Sequence, residues 1–93
     1  MSRADLLAAW HDHLALGLRR SHHTVRAYDK AAERLLTRMG LSSWDAVAEI
    51  TATRLRTHLA SRRAEGLSNA SAARELSALK GFIAFARTQA GHA

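Results

Sequence analysis

Apolar residues recur along this chain at intervals of three and four, the spacing of helices with one buried face, and nowhere alternate as a half-buried strand requires. The first such stripe is Leu6, Leu7, Trp10, Leu14 and Leu18, within a helix expected from about Arg3 to Leu18. Ser2 stands at its N-cap, Asp5 suits the positive end of its dipole, and Gly17 weakens its end. Arg19 and Arg20 lead into a short connection. The second helix is expected from about His22 to Met39, opened by Ser21 and stopped by Gly40. Val25, Tyr28, Ala32, Leu35, Leu36 and Met39 make its apolar face, while Arg26, Lys30, Arg34 and Thr37 form a polar stripe on another.

Residues 41–50 read as a connection with one helical turn after Ser43, from which Trp44, Val47 and Ile50 plug the core. A third helix is expected over about 52–65, after Thr51 and up to Gly66. Leu55 and Leu59 face inward there, and Arg54, Arg56, Arg62 and Arg63 stay in solvent. A fourth is expected over about 69–89, opening at Ser68 or Asn69. Its core stripe is Leu76, Leu79, Ile83 and Ala86, flanked by Phe82 and Phe85. The expected architecture is one all-α domain over residues 1–93, four helices with short connections, neighbours antiparallel or steeply crossed. A chain of this length buries roughly 60–68% of its unfolded surface, enough for one core and not two.

Composition narrows the chemistry. Proline and cysteine are both absent, so nothing forces a break and neither a disulfide nor a thiolate metal site exists. The longest apolar runs fall far short of the ~20 residues needed to span a bilayer, and the N-terminus has no secretory pattern. The expected setting is cytoplasmic, away from membranes. Net charge is +6, and its distribution is uneven. Arg19, Arg20, Arg26, Lys30, Arg34 and Arg38 crowd one stretch against Asp29 and Glu33 alone, and the third helix carries four arginines. Basic charge banked on particular segments is the footprint of a polyanion partner, and also a pattern that ordinary solvated helices show.

The six histidines form no plausible ligand set. His11 and His13 point about 200° apart on one helix, His22 and His23 are adjacent at a helix start, and His58 and His92 are isolated. All read as surface histidines; no metal or cofactor is expected. No phosphate-binding glycine loop or nucleophile elbow occurs. His23, Arg26 and Tyr28 imitate an H-x-x-R box with a tyrosine, but they share one helix. Tyr28 falls on its apolar face, ring in the core and hydroxyl near the surface, so no catalytic residue is assigned.

Two helix starts carry more. Ser21-His22-His23-Thr24 and Ser68-Asn69-Ala70-Ser71 both place hydroxyls at N-cap and N3, where they cap the helix and where exposed N–H groups also suit a phosphate oxygen. Basic residues follow each start. On the fourth helix, Asn69, Arg74, Ser77 and Lys80 alternate with Ala70, Ala73, Ala78 and Gly81. Such a low-relief face can lie close to DNA or pack against another helix.

The run Gly17 to Tyr28, with Ser21, Thr24 and Tyr28 in an S-x-x-T-x-x-x-Y spacing and Leu35-Leu36 after it, resembles the core-binding domain of tyrosine recombinases, the Xer type above all. The second half is similar too: Ile50-Thr51, Leu55, His58-Leu59-Ala60, Gly66-Leu67-Ser68, Arg74 to Lys80, and Phe82-Ile83-Ala84-Phe85. His22 departs from the proline common in the family, and Ile83 from an aromatic. The resemblance runs from about residue 5 to residue 91. It implies a four-helix SAM-like domain gripping one face of the duplex, with its second and fourth helices in or beside the major groove. Catalytic residues would belong to a C-terminal domain absent here, so the chain would be a fragment or isolated domain. Candidate DNA-binding residues are then Thr24, Arg26 and Lys30 from the second helix, and Ser71, Arg74, Ser77 and Lys80 from the fourth. The implied partners are double-stranded DNA and other recombinase protomers in a synaptic tetramer, with the chain monomeric alone. The alternative is a helical interaction domain that self-associates through the fourth helix.

Overall fold

In the computed structural model, which describes residues 1–91, the chain is helical throughout and holds no strand among those residues. Five α-helices follow in order: α1 (Arg3–Asp12), α2 (His22–Met39), α3 (Trp44–Ala48), α4 (Ala52–Ala64) and α5 (Asn69–Gln89). The last is the fourth long helix of the sequence reading, and α3 is the turn expected after Ser43.

Every one of the five starts on a hydroxyl residue. Ser2, Ser21, Ser43, Thr51 and Ser68 each accept a hydrogen bond from the backbone N–H three residues on. Each cap is worth about 1 kcal/mol. At Ser2 the cap is reciprocal: Asp5 accepts from the Ser2 N–H at 2.8 Å, which holds its carboxyl below the usual carboxylate range. α2 ends where Gly40 turns left-handed at φ +66°, and Gly66 closes α4 at φ +105°.

The first helix does not continue to Leu18 in α form. From His13 to Gly17 the chain widens into a π-helical turn, with Leu18 N–H bonded to the His13 carbonyl at 2.9 Å. The widening shifts the side-chain register after the buried Leu14, so Leu18, expected in the core stripe, is 49% exposed and Leu16 is exposed as well. Arg19, in the left-handed region at φ +51°, then redirects the chain into α2.

The core is built on α5. Trp10 packs edge-on against Phe82 at 5.4 Å between ring centroids, and Trp44 packs on Phe82 at 5.9 Å and Phe85 at 5.3 Å. Phe82, expected at the flank, is fully buried at the centre, while Leu76 is only half-buried. The reason is rotational: the stripe 75, 79, 82, 86 faces the centre, about 50° around the helix from the one expected. Backbone ties close the edges, with Arg3 Nε donating to the Leu41 carbonyl at 3.3 Å and Arg87 Nε to that of Ala48 at 3.4 Å.

Candidate nucleic-acid interface

A groove of about 380 Å³ opens between α2 and α5. Thr24, Tyr28 and Arg34 line it from α2, and Ser71, Arg74 and Ser77 from α5, with Ala27, Ala31 and Ala78 keeping its floor low. The local sequence explains why these groups meet. Thr24, Ala27, Ala31 and Arg34 fall three or four residues apart on one face of α2, next to its buried stripe; Ser71, Arg74 and Ala78 do the same on α5.

Four of the seven expected contact residues, Thr24, Ser71, Arg74 and Ser77, therefore share this groove. Thr24 is half-buried; its N–H donates to Ser21 Oγ at 3.2 Å, and the Ser21 hydroxyl donates back to Thr24 Oγ1 at 3.0 Å. The hydroxyl proton of Thr24 is thus left to donate elsewhere. Ser71 is held similarly, its N–H on Ser68 Oγ at 3.2 Å. Lys30 stands in an adjoining groove of about 490 Å³, with Arg34, Arg38, Arg62, Glu33 and Glu65. Arg26 lies about 200° around α2 from Thr24, and Lys80 about 180° around α5 from Ser71, so both are exposed on the sides of their helices that face away from the groove. None of Arg26, Lys30, Arg74 and Lys80 pairs with a carboxylate among the described residues.

Tyr28 is half-buried, packed against the core and at the groove wall. The small-residue face of α5 is partly consumed within the domain: Ala78 is buried, and the Trp10 ring end lies 3.5 Å from where a Cβ at Gly81 would stand.

A polar network that the residue pattern did not announce braces α2, α4 and α5. Glu75 is buried, its side chain 5% exposed, and accepts from Arg34 Nε at 3.3 Å and from Arg62 Nε at 3.3 and 3.2 Å. Arg38 donates to Glu65 at 2.7 Å, which holds the Glu65 carboxyl below its usual range. Arg62, expected in solvent, is 17% exposed, because the buried carboxylate draws its guanidinium inward. His58, read as a surface histidine, is buried, with Nε2 4.0 Å from Glu75 Oε1 and neither ring nitrogen hydrogen-bonded. Burial first, then the charge of Arg38, pushes its pKa down, against the opposing pull of Glu75. Spacing hints at the burial of each, since Glu75 precedes Leu79 and Phe82 at helical spacing and His58 sits near Leu55 and Leu59, but nothing in it announces their partners.

The remaining histidines behave differently. His11 donates from Nδ1 to Asp29 at 2.6 Å, tying α1 to α2, and that hydrogen bond raises its pKa. His13 stacks on Phe85 at 4.4 Å. His92 lies outside the described residues. Among those residues, no three histidine or acidic side chains converge as a metal site, and no helix is long and apolar enough to cross a membrane.

The fold and the site define an all-helical domain with an open groove between two long helices, its floor alanine and its rim hydroxyls and arginines. The model of the phage integrase N-terminal SAM-like domain matches residues 7–90, and the chain belongs to that family. The family makes it a recombinase DNA-binding domain, distinct from the catalytic part of a tyrosine recombinase. Neither the curated proteins nor the solved structures give a match.

Proposed function

We propose that this domain clamps one face of a recombination half-site, with α2 and α5 in or against the major groove. The catalytic domain of a parent tyrosine recombinase would close on the other face. In this reading the parent is of the Xer type and works in the cytoplasm, and the domain, monomeric alone, helps neighbouring protomers assemble into a synaptic tetramer on DNA. The observation that carries the proposal is the groove in which Thr24, Ser71, Arg74 and Ser77 converge, with the unpaired Lys30 in the groove that adjoins it. Hydroxyls and guanidinium groups with a low floor between them suit the sugar–phosphate backbone, and Arg74 can reach a base edge from there. Use of Gly81 and Ala78 inside the domain leaves less of the α5 face for self-association, which supports DNA over a second protomer as its occupant.

The test is duplex binding by fluorescence anisotropy across a salt series. Arg74→Ala and Lys80→Ala should each weaken binding, and flatten the salt dependence by roughly 0.9 log units per log salt for every phosphate contact removed, with unchanged circular dichroism. Unchanged affinity of Arg74→Ala at every salt concentration would show that this groove is not the interface, and unchanged affinity of Lys80→Ala that the far side of α5 takes no part.

A further inference from the structure

Arg34 was not among the expected contacts, yet it is the one arginine of α2 that lines the groove. Its side chain is 40% exposed, and only its Nε–H is engaged, by Glu75. The four N–H donors on its two Nη atoms have no hydrogen-bond partner among the described residues. Glu75 itself is buried and immobilised from two sides, since Arg62 holds the same carboxylate. A guanidinium fixed through Nε keeps its outer edge pointed in one direction, and that edge matches two phosphate oxygens. Arg74 and Ser71 line the same groove from the opposite helix.

The geometry points to Arg34 as a further phosphate-gripping residue, opposed by Arg74 across the groove, with the buried Glu75 as the positioning residue that aims it. The inference rests on the DNA-binding reading and deepens it. It differs from a brace alone, in which Arg34 would serve only to neutralise Glu75 and would touch nothing in solution.

Glu75 makes the idea testable by sign. Glu75→Gln raises the net charge beside the groove, so charge alone would tighten DNA binding. Positioning predicts the reverse, because the neutral amide no longer anchors two guanidinium groups. The experiment measures labelled random-sequence duplex against the whole 93-residue chain from 50 to 200 mM salt, with circular dichroism and melting of each variant alongside. Arg34→Gln should weaken binding about 15-fold at 50 mM and about 4-fold at 200 mM, the amount expected when one counterion-releasing phosphate contact is lost. Arg34→Lys, which keeps the charge and loses the fork, should keep the salt slope yet bind more weakly than the unaltered chain at both salt concentrations. Glu75→Gln should weaken binding, whereas Arg56→Gln, exposed on α4 and lining neither groove, should stay within about twofold of the unaltered chain at 200 mM.

Tighter or equal binding by a folded Glu75→Gln overturns the positioning role. Should that variant melt below the assay temperature, the Arg34 pair decides: equal salt slopes for the unaltered chain and Arg34→Gln, or full retention of affinity in Arg34→Lys, overturn the inference. If the unaltered chain binds no duplex at 50 mM, the DNA reading falls and takes this one with it. If the chain binds and Arg34→Gln matches it, only the role of Arg34 falls.

Discussion

Replacing His58 by leucine should make the domain more stable, and increasingly so as the solution becomes acidic. Both ring nitrogens of His58 are buried without hydrogen bonds, and the nearest acceptor, Glu75 Oε1, is at 4.0 Å, beyond hydrogen-bonding reach. A buried polar group without a partner costs about 1–3 kcal/mol, and leucine fills a similar volume between Leu55 and Leu59 with no polar atom. Some of that gain is offset by losing the attraction between the imidazole and Glu75, leaving about 1–2 kcal/mol. For a domain of this size each kcal/mol moves Tm by about 4–8 °C, so the variant should melt roughly 5–15 °C higher at pH 7.5.

The pH dependence follows from linkage. Burial and the surrounding arginines lower the folded-state pKa of His58 below its ordinary value of about 6.5. As pH falls through about 6.5 the unfolded chain takes up a proton that the folded chain refuses, so stability declines, by at most about 1.4 kcal/mol per pH unit, until the lowered pKa is reached. His11, whose pKa is raised by Asp29, acts oppositely: its contribution is present below about 6.5 and fades as pH rises through the raised value. His11 is unchanged in the variant and cancels from the difference. Melting followed by circular dichroism at pH 7.5, 6.5 and 5.5 should therefore show a gap between variant and unaltered chain that widens toward acid. A His58→Leu protein less stable than its parent, or a gap constant with pH, would refute the reasoning.

Two further substitutions probe the core. Phe82→Ala, at the meeting point of Trp10 and Trp44, should cost about 3–5 kcal/mol by chemical denaturation, several times the loss from Leu76→Ala at its half-buried position on the same helix. Gly81→Ala should stabilise by about 0.5–1 kcal/mol: alanine is the better helix former, and the new methyl meets the Trp10 ring at an ordinary contact distance of 3.5 Å. A fall in Tm for Gly81→Ala would mean that α1 sits closer to α5 than this packing allows.

The helices were legible because their signals are local. Hydroxyl caps at Ser2, Ser21, Thr51 and Ser68, with glycine at positions 40 and 66, place the starts and stops of the long helices within a residue. The exception is the end of the first helix, where the π-helical turn after Asp12 carries Leu16 and Leu18 out of the stripe. No apolar spacing announces it, since the same leucines fit an uninterrupted helix equally well. Rotation about a helix axis was less legible than its extent. Phe82 and Leu76 exchange their expected depths because α5 is covered from several sides, by α2, α3 and α4, so its buried arc is wide and its centre is fixed by its neighbours.

The groove divides along the same line. Thr24, Ser71, Arg74 and Ser77 could be picked out because each is set by its place in one helix. Arg34 and Glu75 could not, because what distinguishes them is a meeting between residues 41 positions apart. Counting charge along the chain treats Arg34, Arg38 and Arg62 as part of the same basic surplus as Arg26, Lys30 and Arg74. In the fold the first three are spent in part on two glutamates, and the last three are not. The surplus facing solvent is therefore smaller than the sequence total over that stretch and more sharply placed. In the proposed reading a polyanion on this domain is gripped by fewer cations than composition counts, and the aim of one of them, Arg34, depends on the single buried carboxylate of Glu75.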